Sequence, residues 1–178
     1  MTHNFQTLRR VVVDASLADY WAEAVREWHV VGVEEDPASA GTCVCGKRGL
    51  RYLFEIYNRQ TNQPLLPIGS SCINMFEVEE LDLSVDELRR LFDLRSAYEL
   101  HGWVPFTSDF FSRATIAALW RNGAFPPNGY NRQDGEVDYL FLRKMFNLRR
   151  EPTKPERSKI RALLYTIRDF VLTDERLG

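Results

Sequence analysis

The spacing of apolar positions changes several times along the chain, and each change predicts an element. Leu17, Tyr20, Trp21, Ala24, Val25 and Trp28 recur at helical spacing, so a helix is expected from a Ser16 cap to about Trp28 with this stripe facing the core. His29 to Val33 then reads as a short strand. Glu34 to Gly41, acidic and then small with Pro37, reads as a loop. Leu50 to Tyr57 alternates, placing Leu50, Tyr52, Phe54 and Ile56 on one face. Polar Asn58 to Gln63 turns the chain into a second strand, Pro64 to Ile68, so the two runs form a hairpin. Gly69-Ser70-Ser71 opens a short helix through Phe76, with a serine as its cap.

Beyond this point the period is helical. Ser84-Val85-Asp86-Glu87 fits a capping box, in which the hydroxyl and the carboxylate satisfy reciprocal backbone N–H groups. Leu88, Leu91, Phe92, Arg95 and Tyr98 continue one stripe to a stop at Gly102. A further helix is expected from Thr107 or Ser108 to Asn122-Gly123. Phe125 to Gly135, with two prolines and two glycines, is a loop, and another helix covers about Glu136 to Asn147. Thr153 and Pro155 start the last, whose stripe is Ile160, Leu163, Leu164, Ile167 and Val171. The expected fold class is therefore α+β. An N-terminal part, residues 1–82, carries the hairpin and short helix, and a mainly α-helical part, residues 83–178, packs against it. There is no internal repeat and no flexible linker.

Composition agrees with a packed chain: 44% of residues are hydrophobic, and eleven Phe, seven Tyr and four Trp supply bulky core material. No apolar run reaches about 18 residues, so no membrane span is expected. Met1-Thr2-His3-Asn4-Phe5 lacks a basic-then-apolar signal pattern, which points to the cytoplasm. The net charge of −2 argues against a wholly basic nucleic-acid coat, but charge is unevenly spread. Between Glu77 and Asp93, seven acids face two bases; between Arg143 and Arg168, nine bases face two acids. Within the basic stretch, Arg143, Lys144, Arg149, Arg150, Lys154, Arg157, Lys159 and Arg161 are candidates for phosphate contacts. The same pattern also describes an ordinary solvated helix face.

The three cysteines change the picture most. Cys43 and Cys45 are one residue apart, too close for an easy mutual disulfide, and an odd number in a cytosolic chain points to metal. The order is Cys43-Val44-Cys45-Gly46-Lys47, the hairpin, then Gly69-Ser70-Ser71-Cys72. Gly46 can take positive φ and let both sulfurs of the turn converge, and a cysteine at a helix start has a favoured thiolate. A turn, a hairpin and a helix start thus bring three sulfurs toward one point, a suitable set for structural Zn²⁺. This ordering resembles the treble-clef arrangement of zinc fingers. It departs from that form in having C-x-C rather than C-x-x-C, and one cysteine rather than two at the helix. The fourth ligand must come from elsewhere. His29 is the first candidate, because its strand leads toward the knuckle loop; His101, Glu34, Glu35 and Asp36 are others. Packed as small apolar residues, the three cysteines would need no metal.

Gly41-Thr42-Cys43-Val44-Cys45-Gly46-Lys47 also satisfies the spacing of a phosphate-binding loop. Arg48 stands where the Mg²⁺-binding hydroxyl belongs, and a strand rather than a helix follows, so no nucleotide cofactor is expected. Cys43-Val44-Cys45-Gly46, Leu50 to Phe54, Ile56, Asn58 and Pro67-Ile68-Gly69-Ser70-Ser71-Cys72-Ile73 with Phe76 resemble a group of uncharacterised bacterial proteins frequent in phages and mobile elements. Asp138 to Leu142, Met145-Phe146-Asn147 and Lys159-Ile160 resemble that group too. The resemblance implies metal binding and no particular substrate.

Three histidines offer little acid–base chemistry, and His101 beside Gly102 suits a helix C-terminus. Cys72 as a nucleophile would need a base, which only His29 could supply. Three thiolates weaken zinc as a Lewis acid, and the H-x-E…P-C-x-x-C pattern of zinc deaminases is missing. The expectation is a non-enzymatic, zinc-stabilised module that binds nucleic acid through its basic stretch, with Tyr130 available for base stacking. The alternative is an adaptor or inhibitor that binds a host protein.

Overall fold

The computed structural model describes residues 3–76 and 78–177, with nothing said of the side chains of His3 and residues 79–83. Of the acidic stretch, Glu77 lies outside the described residues, as do the side chains of Glu79, Glu80 and Asp82. The fold is α+β, about 51% helical, with seven α-helices and a small antiparallel sheet among the described residues. Residues 1–88 with 175–178 form one compact unit and residues 89–174 another. The division falls inside one long helix, Glu79–His101.

In the first unit, α1 (His3–Asp14) has no counterpart among the elements read from the sequence. It buries Leu8 and Val12 completely, four residues apart on one face. Phe5 meets Trp21 edge-on at 5.4 Å, and Trp21 meets Phe76 at 5.2 Å. The helix expected from Ser16 to Trp28 shrinks to α2 (Trp21–Ala24) and a 3-10 turn, Val25–Glu27. Ser16 does not cap it. The Ser16 hydroxyl donates to the Val12 carbonyl at 2.7 Å and accepts the Trp28 indole N–H at 2.9 Å. The N–H groups of Leu17 and Ala18, which a helix would keep free for its cap, both donate to the Glu27 carboxylate at 2.9 Å. Leu17 and Tyr20 are consequently 65% and 52% exposed rather than part of the core.

The sheet has the order β1 (Trp28–Glu35), β4 (Tyr52–Asn58), β5 (Gln63–Ile68), all antiparallel. Its buried face carries Val33, Phe54, Ile56 and Ile68, each at most 2% exposed. A small separate ribbon, β2 (Gly41–Thr42) with β3 (Arg48–Leu50), precedes β4. Leu50 therefore belongs to this ribbon and not to the hairpin strand expected to begin there. Asn58, fully buried, organises the hairpin turn: its oxygen accepts the N–H groups of Gln60 and Thr61, and its amide donates to Glu27 at 2.6 Å. After β5 come α3 (Ser70–Ile73), a 3-10 turn Asn74–Phe76, and α4 (Glu79–His101). The chain end returns as a 3-10 turn, Glu175–Leu177, against β1. Because α4 begins at Glu79, Ser84 lies within it and is not its cap.

The second unit holds the rest of α4, then α5 (Arg113–Arg121), α6 (Glu136–Phe146) and α7 (Lys154–Thr173). Gly102 ends α4 at φ +69°, its N–H on the Tyr98 carbonyl. The helix expected from residue 107 starts only at Arg113, because the Ser112 hydroxyl caps it by accepting the Thr115 N–H. Thr153 and Glu156 form the capping box of α7, and Arg150 clamps Glu156 with two 2.8 Å hydrogen bonds. Leu163, Leu164, Ile167 and Val171 make the expected buried stripe, while Ile160 is only half-buried. Tyr98 ties α4 to α7 through its hydroxyl on the Leu164 carbonyl at 3.2 Å.

Candidate metal centre

The turn between β2 and β3 is a tight knuckle. Cys43 N–H donates to the Lys47 carbonyl and Gly46 N–H to the Cys43 carbonyl, each at 2.8 Å. Gly46 sits at φ +88°, a conformation that a side chain would strain, and this closes the turn. Val44 N–H donates to the Pro67 carbonyl at 3.0 Å, so the knuckle is pinned to the end of β5. β5 leads through Gly69 into α3, whose third residue is Cys72. Lys47 adds a tie across the rim, its ammonium donating to the Ser71 hydroxyl at 3.2 Å.

These constraints place three sulfurs together. Cys72 Sγ lies 3.2 Å from Cys45 Sγ and 3.5 Å from Cys43 Sγ, and all three lie within 4.8 Å of one another. Each cysteine is at most 3% exposed, and all are free thiols. A disulfide would require a sulfur separation of about 2.05 Å. A tetrahedron with metal–sulfur bonds of about 2.3 Å has edges of about 3.8 Å. The two shorter separations are far from a bond length and comparable with that edge. Three close, buried cysteines of this kind can hold a metal ion.

Electrostatics point the same way. A sulfur–sulfur hydrogen bond joins Cys43 and Cys72, and the Cys45 and Gly69 N–H groups point at the Cys43 sulfur. Against the opposing effect of burial, these hold Cys43 down at about 5. Cys72 is pushed well up, because it shares its proton with Cys43, is buried, and faces two sulfurs that can carry negative charge.

Comparison with protein-family models, with curated proteins and with solved structures finds no match. The site is therefore read from its own geometry.

His29 does not join the cysteines. It lies exposed at the start of β1, opposite Tyr57, whereas Val33, Phe54 and Ile68 mark the end of the sheet that leads to Cys72. Four steps of extended strand separate His29 from Val33, about 13 Å. Sequence order suggested that β1 feeds the knuckle, but the antiparallel register carries His29 away from it. The other fourth-ligand candidates are engaged differently. Glu35 pairs with Arg51 at 2.6 Å, and Asp36 accepts the N–H groups of Ala38 and Ala40. Glu34 is exposed, and the His101 ring meets Phe110 edge-on at 5.9 Å. Among the described residues, no histidine or carboxylate completes the group.

The basic residues fare unevenly. Arg143, Lys144, Arg149, Lys154 and Arg161 are exposed. Arg150 is exposed but bound to Glu156, and Arg157 is bound to the Pro152 carbonyl. Lys159 is consumed internally: its ammonium pairs with buried Asp138 at 2.8 Å and lies 4.8 Å over the Phe141 ring. Tyr130 is 98% exposed. The sequence reading missed Trp103 and Tyr165, which pack at 4.9 Å and are 37% and 44% exposed. Tyr165 stands among the arginines of α7, but Trp103 lies some 60 positions earlier, just after α4, so no local pattern joins the two.

Proposed function

We propose that this chain is a zinc-stabilised, non-enzymatic module that binds nucleic acid. The observation that carries the reading is the convergence of Cys43, Cys45 and Cys72 from a knuckle and a helix start into one buried group. All-sulfur donors favour a soft or borderline ion such as Zn²⁺ over Mg²⁺ or Ca²⁺. The ion staples the β2–β3 ribbon to the start of α3, a treble-clef-like arrangement. Three thiolates on the ion make it a poor Lewis acid, which suits a structural role. The exposed bases of residues 143–161 supply the phosphate-contacting surface.

Two measurements test this reading. Metal analysis of the purified chain should give about one zinc per molecule, and Cys43→Ser, Cys45→Ser or Cys72→Ser should each lose it along with cooperative unfolding. His29→Ala should keep it. Metal-free protein with intact folding would remove the zinc reading. Binding to nucleic acid should weaken steeply with salt, by about 0.7 to 0.9 in log affinity per log salt for each phosphate contacted. Capture of a host protein that survives nuclease treatment, with no salt-dependent nucleic-acid binding, would replace the nucleic-acid reading.

A further inference from the structure

A groove of about 820 Å³ opens in the second unit between the segment after α4 and one face of α7. It lies within the size range of ligand sites. Arg157, Arg161 and Arg168 line it at positions i, i+4 and i+11. On a helix these fall within about 40° of one another, spaced along the axis by about 6 and 10.5 Å. Among the described residues, no carboxylate lines the groove. The nearby acids are committed elsewhere, Glu156 to Arg150 and Asp138 to Lys159. Asp169 reaches Arg168 only at 4.0 Å.

The arginines are not spent on the fold. Arg157 is held in place by the Pro152 carbonyl, which fixes its direction without neutralising it. Arg161 is exposed and has no ion-pair or hydrogen-bond partner among the described residues. Arg168 Nε is the one buried side-chain nitrogen or oxygen among the described residues without a partner. The rest of the Arg168 side chain is 39% exposed and open to an acceptor from the groove. Beside this positive row stand Trp103 and Tyr165, large aromatic rings with more than a third of their surface open to solvent.

An anion alone would satisfy the arginines but leave the aromatic pair wet. An acidic peptide would do the same. A nucleotide chain uses both features, since every base has a face that stacks on an aromatic ring and every linkage carries a phosphate. In a duplex the bases are stacked on one another, so the ligand must be single-stranded. We infer that this groove binds single-stranded nucleic acid, with a base stacked on Trp103 and Tyr165 and backbone phosphates on Arg157, Arg161 and Arg168. This site rests on the nucleic-acid reading above and specifies it.

The test is titration of the full-length, metal-loaded chain with an oligothymidylate of about eight nucleotides, followed by tryptophan fluorescence and anisotropy. Quenching is expected on binding. Trp103→Ala should weaken affinity about tenfold or more, with Trp103→Phe recovering most of it. Arg161→Ala, on an exposed side chain whose loss leaves the fold intact, should weaken binding and lower the salt slope by about 0.7. A duplex of equal length should bind more weakly than the single strand. The inference is overturned, with the broader reading intact, if Trp103→Ala and Arg161→Ala bind like the parent while Arg143→Ala or Lys144→Ala loses binding. It is likewise overturned if duplex binds more tightly, or if inorganic phosphate displaces the oligonucleotide as well as a second oligonucleotide does. No binding of any nucleic acid by the parent chain sinks both readings.

Discussion

Gly46 is the residue on which the knuckle turns. Its φ of +88° lies where a side chain costs about 1–2 kcal/mol, and no atom lies within 4 Å of where a Cβ would stand. Gly46→Ala therefore tests backbone conformation without a steric clash. It should weaken zinc binding roughly tenfold in a chelator competition while leaving all three sulfurs in the chain. Unchanged affinity would mean that the turn does not preorganise Cys43 and Cys45. At this scale the sequence was informative where chemistry and local geometry coincide: the three cysteines and Gly46 were all legible from one short motif and a helix start. His29 was not, because its distance from the cysteines depends on strand register and not on neighbours in the chain.

At the scale of elements, the hub formed by Glu27 and Asn58 links the 15–18 segment to the β4–β5 turn. Asn58 is fully buried, and it also donates to the Ala15 carbonyl at 3.4 Å. Asn58→Ala would leave the Gln60 and Thr61 N–H groups unpaired and strip Glu27 of its amide donor. Thermal or urea unfolding should register a loss of about 1–3 kcal/mol. Asn58→Asp should be worse at neutral pH, because it sets one carboxylate against another, and should recover toward the alanine variant in acid. Equal stability of Asn58→Ala and the parent would deny the hub its role. This network also explains why the expected helix from Ser16 failed. Apolar spacing favoured a helix, but Glu27 captured the N–H groups of Leu17 and Ala18, and only one turn survived. Sequence periodicity sees side chains; it does not see which carboxylate will take a backbone donor.

At the scale of the whole molecule, carboxylates in both units contribute to the acid limb of stability, the buried Glu27 more than the surface Glu156. Burial raises the Glu27 carboxyl, but hydrogen bonds from Leu17, Asn58 and Ala18 outweigh it and hold the group below its ordinary value. Arg150, then the Thr153 N–H, holds Glu156 down at about 2. Lowered folded-state values stabilise the fold above the ordinary glutamate value of about 4.3, and that contribution is lost as pH falls through the folded values. Urea unfolding of the parent should therefore weaken progressively below about pH 4. Glu27→Gln should start less stable at neutral pH and lose less on acidification; a parallel acid limb in the variant would refute the assignment. The sequence by itself determined the α+β class, the hairpin, the Thr153 start and apolar stripe of α7, and the cysteine trio, since each follows from periodicity or short-range spacing. Tertiary structure alone decided that α1 forms, that His29 lies away from the sulfurs, that Lys159 is spent on Asp138, and that Trp103 meets Tyr165 beside a row of arginines. The physical reason is the same in each case: these outcomes turn on contacts between residues distant in the chain, whose energies no local pattern carries.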